Sequence, residues 1–267
     1  MPEQLCDLSA APLCAMTEAA PTSLRRSARL AQTGSVWVVR HGERADVADG
    51  EWWITAKRPH DPPLTPLGLR QARAAGLALV GQRVDCIYSS PFYRCVQTAL
   101  GIAEALGGGL KVKIEPGLGE MLHHEWFDFP APNARAGTPY DAHMSTAALV
   151  ATFGADRIDA SYKTPLFEAE GREAKVKAAS TPFAWPEDWH EGVARYEATL
   201  AKLQELSPFS VLVTHGAGVQ SCAESIKGVD MGEMDVGYTC LTNLTRQGVY
   251  EWRCATLASH KHTENLE

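Results

Sequence analysis

Two histidines, three arginines and one glutamate are the side chains whose types and setting could do chemistry. His41 stands in Arg40-His41-Gly42-Glu43-Arg44, and His215 in Val213-Thr214-His215-Gly216. A neutral imidazole is nucleophilic near pH 7 and can accept a phosphoryl group, which divides one difficult transfer into two easier steps. Its other ring nitrogen must then be held by an acceptor, and a backbone carbonyl is the usual sort of partner. Phosphoryl transfer depends on positioning and charge more than on elaborate bonding. Arginine meets that need because its planar fork grips phosphate oxygens two at a time. Arg40 and Arg44 flank His41. Arg94 falls about one turn into a candidate helix, where it can share an anion with the helix N-terminal amides. His215 can donate a hydrogen bond to the transferring group. Glu120 is the leading general acid, able to protonate the leaving oxygen and then activate water. Glu43 and Asp46 are its alternatives.

The elements that must position these groups are readable in outline. Val36–Val39 is a short apolar run with β-branched content, a buried strand that ends on Arg40-His41-Gly42. Thr65-Pro66 has the form of a helix cap and first position, with good helix formers over 71–80 and Gly81 as a stop. Strands follow at 85–89, 112–115 and 210–214. Ser90-Pro91 repeats the cap-plus-proline signature before a helix over about 92–106, which Gly107-Gly108-Gly109 closes. Val193, Tyr196, Leu200, Leu203 and Leu206 keep helical spacing, and 217–226 reads as a further helix. Residues 238–244 and 249–255 form a candidate hairpin around Arg246-Gln247-Gly248. Strands alternating with helices predict a mostly parallel sheet covered on both faces. In such sheets chemistry sits beyond the carboxyl ends of the strands, and both histidines immediately follow predicted strands.

Composition sets the bounds. The 267 residues are 45% hydrophobic and 21% charged, with a formal net charge of -7. This is ordinary globular composition. The acidic balance argues against nucleic-acid binding, while a few arginines can still build a local anion site. Seven dispersed cysteines without a CxxC pair read as reduced, buried thiols. With no apolar run of membrane-spanning length and no secretory signal, a cytoplasmic protein without membrane contact is expected. Residues 1–33 read as a disordered tail, with an organelle transit peptide as the alternative, 34–258 as the folded domain and 259–267 as a C-terminal tail. A loop-rich insertion at about 121–190 carries Trp126, Phe127, Phe129, Tyr140, Tyr162, Trp185 and Trp189. Part of it is expected to act as a substrate lid whose apolar wall favours bulky leaving groups. Adjacent His123 and His124 lack metal-site spacing, so no metal or cofactor is expected. His260 and His262 are expected at the solvent-exposed C-terminus.

Four motifs in order carry a family resemblance: Arg40-His41-Gly42-Glu43-Arg44, Leu64-Thr65…Gly68…Gln71-Ala72, Ser89-Ser90-Pro91…Arg94…Gln97-Thr98-Ala99 and Thr214-His215-Gly216. Together they resemble the histidine phosphatase superfamily, which includes the cofactor-dependent phosphoglycerate mutases. Arg44, Arg94-Cys95 and Glu115-Pro116-Gly117-Leu118 look most like its suppressor-of-T-cell-receptor-signalling and ecdysteroid-phosphate phosphatase group. The resemblance implies a three-layer α/β/α sandwich. It implies a phosphomonoesterase in which His41 becomes phosphorylated, Arg40, Arg44, Arg94 and His215 form the phosphate pocket, and Glu120 donates the proton. The substrate would be a phosphorylated small molecule or phosphoprotein, and a homodimer is open. Two further functions compete, a phosphoglycerate-mutase-type phosphotransferase and a catalytically weak scaffold for phosphorylated ligands. Against the mutase, His215-Gly216 is followed by Ala217-Gly218-Val219-Gln220 where mutases carry Asn-Ser-Leu-Arg, and their Tyr-Gly pair after the acid is absent. Gly119 and Met121 flank Glu120, where the phosphatase group places an aromatic and a tryptophan.

Overall fold

The computed structural model describes residues 32–123, 125–126, 143–166, 186–232, 234–248 and 251–266. Six strands form one sheet in the order β3-β2-β4-β1-β5-β6. They are β1 (Gln32–Arg40), β2 (Cys86–Ser89), β3 (Val112–Ile114), β4 (Phe209–Thr214), β5 (Leu241–Gln247) and β6 (Trp252–Ser259). The first four run parallel, and β5 and β6 add an antiparallel hairpin beside β1. Among the described residues, five helices of eight residues or more accompany the sheet: α1 (Pro66–Ala78), α2 (Tyr93–Ala105), α3 (Thr146–Phe153), α4 (Trp189–Leu206) and α5 (Gly216–Glu224).

The period-2 alternation of the central strands sorts the core into two halves. Val39, Val211 and Val213 face a cluster that includes Ala75 and Leu79 at α1, Val96 and Ala99 of α2, and Leu149 of α3. Val36, Val38 and Leu212 face the opposite cluster, with Tyr196, Leu200 and Leu203 of α4 and Val219 and Cys222 of α5. The result is the three-layer α/β/α sandwich expected.

Local chemistry accounts for most boundaries. Thr65 caps α1 through a hydrogen bond from Gly68 N to its hydroxyl, with Pro66 at the first position. Asp188 and Glu191 form a reciprocal capping box at the start of α4. Gly81, Gly107 and Gly108 adopt the positive φ that ends their helices.

Several expectations need correction. The residue capping α2 is Phe92, without a side-chain cap, so Ser90 does not act as the cap. The closing hairpin lies about three residues later than the apolar pattern indicates. Thr239, before β5, holds φ at 55° and breaks the extended run there. The insertion is partly built into the fold. Leu149 and Ile158 are fully buried, and Ile158 forms a parallel bridge to Val112 of edge strand β3. Tyr162 belongs to the scaffold and not to a lid, since its hydroxyl donates to buried Glu115 over 2.6 Å. Trp126 and Trp189 are exposed and meet edge to face. Phe127, Phe129, Tyr140, Trp185 and His124 lie outside the described residues, as do residues 1–31, while Gln32 and Thr33 belong to β1 and not to the expected 1–33 tail. His260 and His262 are half-buried, not exposed, and His262 Nε2 lies 3.3 Å from Thr239 Oγ1.

α1 and α2 approach closely at Gly76. A Cβ there would lie 2.6 Å from Ala105 Cβ and 2.8 Å from Ile102 Cα. Gly76→Ala gains about 1 kcal/mol of helix propensity, but overpacking against backbone costs roughly 1–3 kcal/mol. The substitution is therefore expected to lower stability in urea unfolding, opposite to the effect of Gly→Ala in an exposed helix.

Candidate active site

β1 and β4 pair in parallel, with Arg40 opposite Thr214. The next residue on each strand is therefore a histidine, and His41 N donates to Thr214 O over 3.0 Å. The two imidazoles meet edge to face with centroids 5.3 Å apart. Both are buried, His41 at 1% exposure and His215 at 0%.

The loop after β1 is fixed from below by α1 and α2. A Cβ on Gly42 would fall 2.5 Å from Gly68 O, so only glycine allows this approach. Gly42 N donates to Thr98 Oγ1 at 3.1 Å, Glu43 N to Gln71 Oε1 at 2.9 Å and Leu64 N to Gln97 Oε1 at 2.7 Å. These contacts give the Thr65…Gly68…Gln71 and Gln97-Thr98 motifs their physical meaning, because they hold the loop that follows His41.

His41 Nδ1 donates to Gly42 O over 2.7 Å, the carbonyl partner the chemistry requires. The lone pair is then on Nε2. Burial first, then the charges of Arg94, His215 and Arg40, hold the His41 pKa well below its ordinary value, so the ring is neutral near pH 7.

Arg94 is 2% exposed. It projects from the first turn of α2, its Nη2 3.3 Å from Glu120 Oε2 and 3.2 Å from His215 Nδ1. Its Nε is buried without a hydrogen-bond partner, as is that of Arg40. Arg40 donates through Nη1 to Val236 O and lies 4.6 Å over the Tyr238 ring. Arg44 forks onto Asp46 through both Nε and Nη2. Its charge still acts on Glu120 and His215.

Glu120 Oε2 lies 3.0 Å from His215 Nδ1. Burial alone would raise its pKa. His215, Arg94 and Arg44 outweigh this and bring it down to about 2. For His215, burial lowers the pKa, Arg94 adds to the shift and Glu120 opposes it, for a net fall to about 4. Near pH 7 this places a carboxylate on Glu120 and a proton on His215 Nδ1. His215 Nε2 then accepts from Ser90 Oγ at 2.8 Å. The alternative acids are engaged elsewhere, Glu43 with the Thr65 hydroxyl and Asp46 with Arg44.

His41, Glu120 and His215 offer three ligand atoms within 4.8 Å of one another, a spacing a metal ion could use. The guanidinium groups of Arg94 and Arg40 oppose a cation there and favour an anion. Two buried guanidinium Nε–H groups lack hydrogen-bond partners there, and an oxyanion is the chemistry that would satisfy them.

Sequence reasoning missed three neighbours. Ser90 has the sequence signature of a cap but hydrogen-bonds His215. Tyr238 packs 5.8 Å from His41, from a stretch expected to be strand. Asp61 is 4% exposed and accepts from Tyr93 N at 2.6 Å, tying the loop before α1 to the start of α2. Ser90 lies inside a recognised motif and could have been weighed; no local pattern marks Tyr238 or Asp61. Cys95 is fully buried, its Sγ 3.5 Å from His215 Nε2.

Comparison with known proteins agrees with this geometry. Residues 36–150 match the model of the histidine phosphatase superfamily (branch 1). Ubiquitin-associated and SH3 domain-containing protein A of Mus musculus is 28% identical over 229 residues, covering 73% of this chain and 33% of that protein. Ecdysteroid-phosphate phosphatase of Drosophila melanogaster is 25% identical over 266 residues, covering 88% of this chain and 31% of that protein. The chain thus spans about a third of the length of these relatives. Among solved structures, the ecdysone phosphate phosphatase of Bombyx mori in complex with tungstate superposes with a TM-score of 0.59 at 21% identity, covering 84% of this chain and 92% of that one. Phosphoglycerate mutase of Bacillus anthracis gives a TM-score of 0.53 at 18% identity, covering 90% and 99%. The fold is phosphoglycerate-mutase-like.

The depressed imidazole pKa values fix a direction for stability. The unfolded chain binds protons at its histidines near the ordinary 6.5, whereas folded His215 binds one only near 4. Stability is therefore lost as pH falls from about 6.5 toward 4, and Glu120 adds a further loss between about 4.5 and 2. The His215 ring resonances in NMR should stay unchanged from pH 7.5 to 5.5. A transition near 6.5 would contradict the buried neutral ring.

Proposed function

Because residues 36–150 match the model of the histidine phosphatase superfamily, we propose that the protein is a member of it and a phosphomonoesterase acting through a phosphohistidine on His41. The observation that supports this most is the buried, neutral His41 ring, its Nδ1 proton held by Gly42 O, beside a hollow where Arg94 and His215 converge. In this reading the substrate phosphate lies among Arg40, Arg94 and His215, with Arg44 adding long-range positive charge. His41 Nε2 attacks phosphorus as the ester oxygen departs in line.

Glu120 is a carboxylate before substrate binds. A phosphate dianion brought beside it raises its pKa and draws a proton onto it. That proton passes to the leaving oxygen as the P–O bond breaks and the N–P bond forms. Water then attacks phosphorus and gives its proton to Glu120, and the N–P bond breaks to release phosphate and neutral His41. No step requires a metal ion. The substrate is a phosphorylated small molecule or phosphoprotein. Five described cysteines are free thiols, which supports a cytoplasmic setting. No helix among the described residues is long and apolar enough to cross a membrane.

Hydrolysis of p-nitrophenyl phosphate in EDTA provides the test. Wild type should be active, and His41→Ala should lose on the order of 10⁴-fold or more in kcat/KM. Acid quenching during turnover should trap an acid-labile phosphoenzyme in wild type alone. Activity retained by His41→Ala would refute the nucleophile. Transfer confined to phosphoglycerates would identify a mutase, and binding without turnover a scaffold.

A further inference from the structure

The segment that carries Glu120 has almost no regular structure of its own. Only a 3-10 turn at Pro116–Leu118 precedes it, yet its backbone carbonyls are bound one after another by side chains. Arg195 of α4 donates through Nη1 to Gly117 O at 2.8 Å and Gly119 O at 3.1 Å. Its Nη2 reaches Glu120 O at 3.5 Å. Tyr196, the next residue, donates its hydroxyl to Gly119 O at 2.5 Å, and Thr214 Oγ1 donates to Leu118 O at 2.7 Å.

The guanidinium of Arg195 is itself fixed. Its Nε and Nη2 fork onto Glu187 at 2.7 and 2.8 Å, and both side chains of the pair are largely buried. Glu187 also pairs with Leu122 on the far side of Glu120, through Leu122 N to Glu187 Oε2 at 3.3 Å and Glu187 N to Leu122 O at 3.0 Å. Two glycines permit the close approach of helix and loop. A Cβ on Gly117 would meet Thr199 Oγ1 at 2.2 Å, and one on Gly192 would meet Met121 Cε at 2.5 Å.

Burying a guanidinium–carboxylate pair is costly where apolar packing could fill the same volume. Here the pair supplies directed donors that apolar side chains lack. We propose that Arg195, locked by Glu187 and assisted by Tyr196, is a positioning residue that sets where the Glu120 carboxyl stands relative to the leaving oxygen. This rests on the reading of Glu120 as the general acid. Arg195 meets that loop through the backbone carbonyls of Gly117, Gly119 and Glu120.

General-acid help matters most for a poor leaving group and little for a good one. The experiment compares kcat/KM for p-nitrophenyl phosphate and an alkyl phosphate across wild type, Glu120→Gln, Arg195→Lys, Tyr196→Phe and the double variant Glu120→Gln/Arg195→Lys. Arg195→Lys keeps a cation for Glu187 but cannot span the carbonyls. It should lose roughly 10- to 100-fold on the alkyl ester and less than about threefold on the aryl ester. Tyr196→Phe retains the ring and should show the same split in smaller measure, so it carries the test if Arg195→Lys does not fold. The double variant should be no slower on the alkyl ester than Glu120→Gln alone. Equal losses on both esters, no loss on either, or additivity in the double variant would overturn the assignment while Glu120→Gln still shows the split. A Glu120→Gln variant without the split would instead remove the acid beneath it, and both readings would fall.

Discussion

The site depends on the parallel register of β1 with β4. Setting Arg40 opposite Thr214 places His41 and His215 side by side at the sheet's carboxyl edge. A slip of one residue would turn one imidazole to the other face, because side chains alternate along a strand. The two strands are central and buried on both faces, so the hydrophobic pattern that builds the core also enforces this register. Packing and chemistry are thus set by one pairing.

Around that pair the protein gathers positive charge faster than it neutralises it. Arg40 and Arg94 each retain a buried Nε–H without a partner, and among the described residues Glu120 is the carboxylate drawn into contact with both His215 and Arg94. Such a gathering of like charge is electrostatically strained, and in the proposed reading an oxyanion relieves it, so that binding and preorganisation share the same groups. Strain of another kind lies alongside. Thr239 holds a left-handed backbone while its N–H donates to His41 O at 3.2 Å. A β-branched residue adopts that conformation only where its surroundings enforce it.

Much of this was legible because the main signals are local. Val36–Val39 and Ser210–Thr214 announce buried strands, and a polar residue immediately after each is conspicuous. The Thr65-Pro66 cap reads directly. Ser90-Pro91 carries the same signature but a different function, since a cap pattern does not reveal whether the hydroxyl faces its own helix or an imidazole across the sheet. Tyr238 was hidden by Thr239, whose backbone reversal cannot be inferred from a β-former. Arg195 sits on a helix whose apolar spacing was recognised through Tyr196 and Leu200. Its role depends on a loop some seventy residues earlier, and helical periodicity does not encode which distant carbonyls a guanidinium will meet.

Cys95 stands within reach of His215, where a thiolate would be a ready nucleophile. Burial pushes its thiol up to about 12, against the influence of Arg94. At any physiological pH the sulfur is therefore protonated and shielded from solvent, so alkylating agents and peroxide find no thiolate to attack. In the proposed reading, chemistry at this site passes through nitrogen even though sulfur is adjacent, and an oxidant that silences a phosphatase built on a reactive cysteine meets no thiolate here.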